Sequence, residues 1–134
     1  MIAPLSIGIG CSSRATRDDI LRLIEASVDS IPSGSVIATL DRRASMGELV
    51  ASTLGLRLVL FPASTLAHVA GTTTHSAIAL GRTGASNVAE ASALASLGPS
   101  ARLIVPLRKG RFCTCAVASL SPSLSPLPSK EVQA

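Results

Sequence analysis

Three short apolar runs, the first closed by a glycine and the third by a proline, separated by stretches of helical period, constrain this chain more than any other feature. Residues 5–9 form an apolar run ending at Gly10, the pattern of a buried strand opening onto a turn. Thr16 then starts a helix, with Asp19 three residues on in the arrangement of a capping box. Ile20, Ile24, Val28 and Ile31 recur at helical spacing until Pro32 and Gly34 end the segment. Residues 36–40 read as a second strand, residues 45–54 as a second helix stopped by Gly55, and residues 56–61 as a third strand closed by Pro62. Alternation of this kind predicts parallel strands, because each intervening helix carries the chain back to the same end of the sheet.

The second half is less regular. Residues 66–68 fit one short helical turn, residues 71–74 a small-residue loop, and residues 76–80 fit helix or strand equally. A glycine-containing loop at residues 81–86 feeds a helix over residues 87–97, with Glu90 in its first turn and Gly98-Pro99 as its stop. Residues 103–107 and 112–118 read as strands joined by the turn Arg108-Lys109-Gly110-Arg111. The expected architecture is a three-layer α/β sandwich: a mostly parallel mixed sheet, helices on both faces and a C-terminal antiparallel hairpin. Residues 1–118 form one domain in this reading. Residues 119–134, dominated by Ser, Pro and Leu without periodicity, are expected to be a disordered tail. A domain of this length buries about two-thirds of its unfolded-chain surface, so neither disulfides nor a metal are needed for folding.

Composition then narrows the partner. Phe61 and Phe112 are the only aromatics, so the core is aliphatic and there is no platform on which bases could stack. With no nucleic-acid motif either, nucleic acid is not expected as a partner. The net charge is +4 and ten of the twelve cations are Arg, whose planar fork suits carboxylates and phosphates, so a small polyanion is favoured. Three cysteines (Cys11, Cys113, Cys115) are an odd number, which argues against a disulfide framework. The first eleven residues are apolar but lack a basic leader and are too short for a secretory signal, and no run of about 18 apolar residues exists to span a membrane. A cytoplasmic location without membrane contact is the resulting expectation.

Four short blocks carry a family resemblance. They are Gly8-Ile9-Gly10-Cys11 followed by Arg14; Ala38-Thr39-Leu40-Asp41-Arg42-Arg43-Ala44; Gly84-Ala85-Ser86-Asn87-Val88-Ala89-Glu90-Ala91; and Leu103-Ile104-Val105-Pro106-Leu107-Arg108-Lys109. In this order and spacing the chain, over roughly residues 5–118, resembles the CobE family of cobalamin biosynthesis proteins, which is similar to the C-terminal domain of the CbiG proteins. The resemblance implies a domain acting on the corrin ring during its assembly, by the aerobic, cobalt-late route of the stand-alone members. A corrin or precorrin intermediate is the implied partner, with other cobalamin biosynthesis enzymes as a second class. CbiG proteins open a lactone on a cobalt-containing intermediate and have additional N-terminal sequence, so that hydrolase activity does not carry over. The second block often continues with Lys and acidic residues, whereas here it reads Arg43-Ala44-Ser45-Met46, and a Lys-dependent role there falls to Arg43.

Corrin intermediates display acetate and propionate groups around an apolar macrocycle, so a binder needs dispersed carboxylate-recognition points. Gly10, Cys11 and Arg14 follow the first strand, where free amides at a helix start and a guanidinium can meet an anion. Thr39, Asp41 and Arg43 end the second strand, and ligands of open α/β sheets sit beyond the carboxyl ends of the strands. Gly84, Ser86, Asn87 and Glu90 open the last helix; Ser86 or Asn87 as N-cap, with Glu90 closing a box, is the purely structural alternative. Lys109, with Arg108 and Arg111, makes a basic hairpin tip suited equally to clamping a ligand and to keeping an edge soluble. His75 beside Ser76, with Asp41, has the composition of a hydrolytic triad, though adjacent residues rarely aim at one another. Cys113 and Cys115 share one strand face, but without nearby His or acidic partners no metal site is expected, and no cofactor. A carrier of a corrin intermediate is the leading expectation. A hydrolase or isomerase using His75, Asp41 or Glu90 for proton transfer is the alternative, and a structural partner of another enzyme is the third.

Overall fold

The computed structural model describes residues 3–69 and 85–120. In chain order these form β1 (Leu5–Cys11), α1 (Arg17–Ser27), β2 (Val36–Leu40), a 3-10 turn at Asp41–Arg43, α2 (Ala44–Leu54), β3 (Arg57–Phe61), the short α3 (Ala63–Leu66), α4 (Ala85–Leu97), β4 (Arg102–Lys109) and β5 (Cys113–Ser119). One sheet takes the order β3-β2-β1-β5-β4. The pairs β1–β2 and β2–β3 are parallel, and β1–β5 and β4–β5 are antiparallel. The result is the expected mixed α/β sandwich, with the three crossover-linked strands forming its parallel half. Strand β5 runs one residue further than the sequence suggested: Ser119 is buried and pairs with Leu5, so the segment read as a tail contributes its first residue to the sheet. Residues 121–134 lie outside the described residues.

The central strand β1 shows how the layers are specified. Its odd positions, Leu5, Ile7, Ile9 and Cys11, join Ile20, Leu23 and Ile24 of α1, Val50 and Ala51 of α2, and Cys113, Cys115 and Val117 of β5 in the main core. Its even positions are small, and they meet α4 on the opposite face. A Cβ built on Gly8 would overlap the Ala89 carbonyl oxygen and lie 2.8 Å from the Ala93 amide nitrogen, so α4 rests on the β1 backbone itself. Ala38, Ala116 and Ala118 of the sheet and Ala89 and Ala93 of α4 are all fully buried around this approach. The Ser92 hydroxyl, which donates to Val88 O at 2.6 Å within the helix, also lies 3.2 Å from Ala38 O of β2. Alternation of large and small along β1 therefore assigns one face to a thick aliphatic layer and the other to a helix in backbone contact.

Helix α1 starts as its sequence signals. The Thr16 hydroxyl accepts from the Asp19 N–H at 3.1 Å, and the Asp19 carboxylate accepts from the Thr16 N–H at 3.0 Å. Its end is earlier than periodicity predicts, since Val28 is already extended at φ −136° and ψ 144°. The approach to Pro32 disfavours helix, yet Val28 and Ile31 still pack on the main core from the loop, so the apolar spacing was serving burial rather than helix. Helix α2 ends on Gly55 in the left-handed region at φ 72°.

The edge strand β4 bulges twice relative to β5, between Leu103 and Val105 and again between Val105 and Arg108. Pro106, which has no N–H to donate, sits in the second bulge. The displaced N–H of Leu107 donates instead to the carboxylate of Glu90 on α4, at 2.9 Å.

Two stability tests follow from this packing. Gly8→Ala should cost about 3 kcal/mol in urea unfolding, at the upper end of overpacking effects, because the Ala89 carbonyl oxygen and the Ala93 amide nitrogen, which cannot swing aside, stand in the way beside the Ser92 hydroxyl. Gly47→Ala meets only side-chain methyls, Leu58 Cδ1 at 2.9 Å and Thr39 Cγ2 at 3.0 Å, and should cost less. The Thr16 backbone N–H holds the Asp19 carboxyl below its ordinary value of 3.8, against the opposing effect of burial, with the Thr16 hydroxyl, Arg111 and Arg22 helping. A carboxyl depressed on folding contributes stability above its unfolded value and loses it as pH falls through the folded value. Stability should therefore fall below pH 3.8 in wild type, and Asp19→Asn should flatten that fall in melts recorded across the acid range.

Candidate functional site

Because β1 and β2 are parallel, their carboxyl ends open at the same edge of the sheet, and the β4–β5 hairpin tip arrives there by antiparallel pairing. Cys11 ends β1 opposite Cys113, and beyond them the Ser12 N–H donates to Phe112 O at 3.0 Å, stitching the β1–α1 loop to the hairpin tip. That loop is itself ordered: the Arg14 and Ala15 amides donate to the Ser12 hydroxyl and carbonyl at 3.2 Å each. The Gly110 N–H donates to Cys113 O at 2.8 Å, which closes the hairpin. The Arg14 guanidinium lies 4.6 Å from the centroid of the Phe112 ring and that of Arg111 5.5 Å. Arg43, from the 3-10 turn after β2, acts on the Cys11 thiol from nearby, and Arg111 acts on the Asp19 carboxylate.

One rim thus gathers Arg14, Arg42, Arg43, Lys109 and Arg111 from three separate connections. Among the described residues the ion pairs are Arg17–Asp18 and Arg22–Asp19, at 3.7 and 3.9 Å, and neither involves a rim cation. Arg14, Arg42, Lys109 and Arg111 are exposed and Arg43 is half-buried. Such a concentration of positive charge, five cations beside Asp41, raises the local concentration of anions and favours their capture. A groove lined by Ile31, Pro32, Gly34, Leu54 and Arg57 lies at the opposite edge, before β2 and β3 begin.

The individual residues expected to act are not all on this rim. Gly10, Arg14, Asp41, Arg43 and Lys109 come together at it, whereas Cys11 ends its strand there with its side chain turned into the main core. Thr39 ends inside: fully buried, its hydroxyl donates to Ile9 O at 2.7 Å and ties β2 to β1. Of the amides before Thr16, expected to face an anion, those of Ser12, Arg14 and Ala15 already donate to Phe112 O, the Ser12 hydroxyl and Ser12 O, and the capping box takes those of Thr16 and Asp19, with Asp18 and Asp19 supplying negative charge in the first turn. Helix α4 begins at Ala85, two residues earlier than expected, so Ser86 and Asn87 lie within its first turn rather than at the N-cap. Glu90 accordingly moves into the second turn, where it is fully buried and holds the Leu107 N–H. His75, Ser76 and Gly84 lie outside the described residues, as do the side chains of Ser86 and Asn87.

The residue that sequence reasoning passed over is Phe112, taken as the start of a strand. It lies in the turn at φ 61°, among the described residues the one non-glycine at positive φ. A signal was present: an aromatic between Arg111 and Cys113, in a chain with one other aromatic, is poorly explained as a core residue of an aliphatic domain.

Beneath the rim lie the three thiols, all reduced and buried. Burial pushes Cys113 up to about 11 and Cys115 up to about 12, and raises Cys11 against the opposing pull of Arg43. Among the described residues no three His, Cys, Asp or Glu side chains converge on a point where a metal could sit. These thiols are neutral near pH 8, and neutral buried thiols react slowly. Ellman's reagent at pH 8 should label the native protein slowly and all three cysteines promptly in denaturant. The thiol contribution to stability is fully present below the ordinary value of 9.0 and is lost as pH rises toward 11 and 12, so the urea midpoint should fall above pH 9.

Comparison with known proteins agrees across sequence and structure. Residues 5–118 match the family model described as cobalamin synthesis G C-terminus. No curated protein matches the chain. Among solved structures, CobE, a protein from the cobalamin (vitamin B12) biosynthetic pathway, is 27% identical with a TM-score of 0.68, covering 90% of this chain and 93% of that one. The cobalamin biosynthesis protein chiG from Agrobacterium tumefaciens str. C58 is 28% identical with a TM-score of 0.63, covering 87% of this chain and 98% of that one.

Proposed function

This chain belongs to the cobalamin synthesis G C-terminus family, and within that role we propose that it binds a corrin or precorrin intermediate by its carboxylates and carries it between steps of the pathway. The observation that supports this most is the rim itself, where cations from the β1–α1 loop, the 3-10 turn after β2 and the hairpin tip collect without forming a salt bridge among the described residues. A macrocycle bearing acetates and propionates around its edge offers anions at several separated points. Dispersed guanidiniums on one rim match such a ligand better than they match a compact phosphate, which a single helix terminus would hold.

The chemistry asked of the rim is recognition. Arg14 and Arg43 flank the end of β1, and each guanidinium can take a carboxylate in bidentate fashion. Gly10 keeps the strand end low between them. Asp41, exposed beside Arg42 and Arg43, sets a negative boundary that would orient the ligand by repelling its carboxylates from that side. Other enzymes of the pathway are the proposed donors and recipients of the cargo.

The test is a visible-absorption and calorimetric titration with cobalt-free hydrogenobyrinic acid, beside an Arg14→Ala, Arg43→Ala double variant. Stoichiometric binding without product formation is expected for wild type, and loss of two charge-assisted contacts should weaken it about a hundredfold, with the far-ultraviolet circular dichroism unchanged. Absence of wild-type binding would remove this ligand. Conversion of an earlier precorrin into product would replace the carrier reading with an enzymatic one.

A further inference from the structure

Phe112 has the least comfortable backbone of any side-chain-bearing residue in the described fold. At φ 61° it occupies the left-handed region, which glycine enters freely and a bulky L-residue does not, although Gly110 stands only two positions away. The residue is 37% exposed, in a protein whose other large side chains are mostly aliphatic and buried. Two guanidiniums gather about it, with Arg14 Cζ at 4.6 Å and Arg111 Cζ at 5.5 Å from the centroid. Strained backbone, exposed aromatic surface and two neighbouring like charges are each unfavourable alone. The hairpin does not need them for closure, since the Gly110–Cys113 and Ser12–Phe112 backbone hydrogen bonds already fix its path.

We infer that Arg14, Phe112 and Arg111 form a preorganised clamp for neighbouring carboxylates of one ligand, with Phe112 as the positioning residue. This deepens the corrin-binding reading and rests on it for the identity of the natural ligand. The physical reason is that a guanidinium lying against an aromatic ring is already confined and partly desolvated on that side, while its N–H edges stay available. Confinement before binding reduces the ordering cost when a carboxylate arrives. The ring also draws the two cations closer together than their repulsion would otherwise favour, and a pair of carboxylates relieves that repulsion. The positive φ turns the Phe112 side chain toward Arg14 rather than continuing the strand alternation into which Cys113 falls. Strain of this kind persists where the surrounding structure over-determines it and function uses the result.

The experiment uses the full chain and a probe simpler than a corrin: tricarballylate, a small flexible tricarboxylate. Arg14 and Arg111 Nε–Hε resonances are followed by NMR during titration of wild type, Phe112→Trp, Phe112→Leu, Phe112→Ala and Phe112→Gly. Saturable shifts of both resonances are expected in wild type and Phe112→Trp, with binding about fivefold weaker in Phe112→Leu, Phe112→Ala and Phe112→Gly. Phe112→Gly should melt above Phe112→Ala, because glycine alone relieves the left-handed backbone, and its fold keeps the comparison valid should the alanine variant unfold. Equal affinity in Phe112→Leu and wild type would overturn the positioning role, and wild-type resonances that ignore tricarballylate would overturn the clamp. A protein that binds tricarballylate in this pattern but not hydrogenobyrinic acid would keep the clamp and lose the corrin assignment.

Discussion

The contact between α4 and the backbone of β1 at Gly8 is the constraint on which the remaining geometry depends. Helices normally rest on sheets through interdigitating side chains, and here that cushion is gone. The cost is a face with little apolar side-chain volume. The return is a rigid spacing, because backbone-to-backbone contact leaves no rotamers to adjust. Ala38, Ala116 and Ala118 on the neighbouring strands must be small for the same reason, and the bulk of the apolar volume moves to the α1 and α2 face.

Fixing α4 at this height also fixes Glu90. A fully buried carboxylate is tolerable only with hydrogen-bond partners, and the Leu107 N–H freed by the bulge around Pro106 is one of them. The pairing works in both directions: it satisfies the carboxylate and it holds β4 in its displaced path. The displaced strand then delivers Lys109, Arg111 and Phe112 to the edge where β1 and β2 end. Removing the Glu90 carboxylate would leave the Leu107 N–H without this bond, so the helix and the hairpin are linked through a polar contact as well as through apolar packing.

Parts of this arrangement were legible in the residues. Thr16 and Asp19 named the start of α1 because a capping box is local chemistry. Gly55 marked the end of α2 and the 36–40 run marked β2 for similar reasons. Val28 and Ile31 misled, since burial against a sheet imposes spacing on loops as well as helices. Glu90 and Thr39 looked like site residues because polar groups in recognised blocks invite that reading, and only packing reveals that each supports a neighbour: Glu90 the Leu107 amide, Thr39 the Ile9 carbonyl. Phe112 was missed because its importance lies in a backbone angle and in two cations, one of them nearly a hundred residues away in sequence.

The sequence by itself determined the class of fold, the family and the sign of the charge. These follow from short-range pattern: apolar period, capping and turn residues, and ten arginines against eight acids. Tertiary structure alone decided which arginines share an edge and which polar residues are interior. It also decided that an aromatic turn residue lies against two guanidiniums. The reason is that strand order and register bring together residues 14, 43 and 111 through pairings spanning much of the chain, and no local preference encodes a distance of that kind.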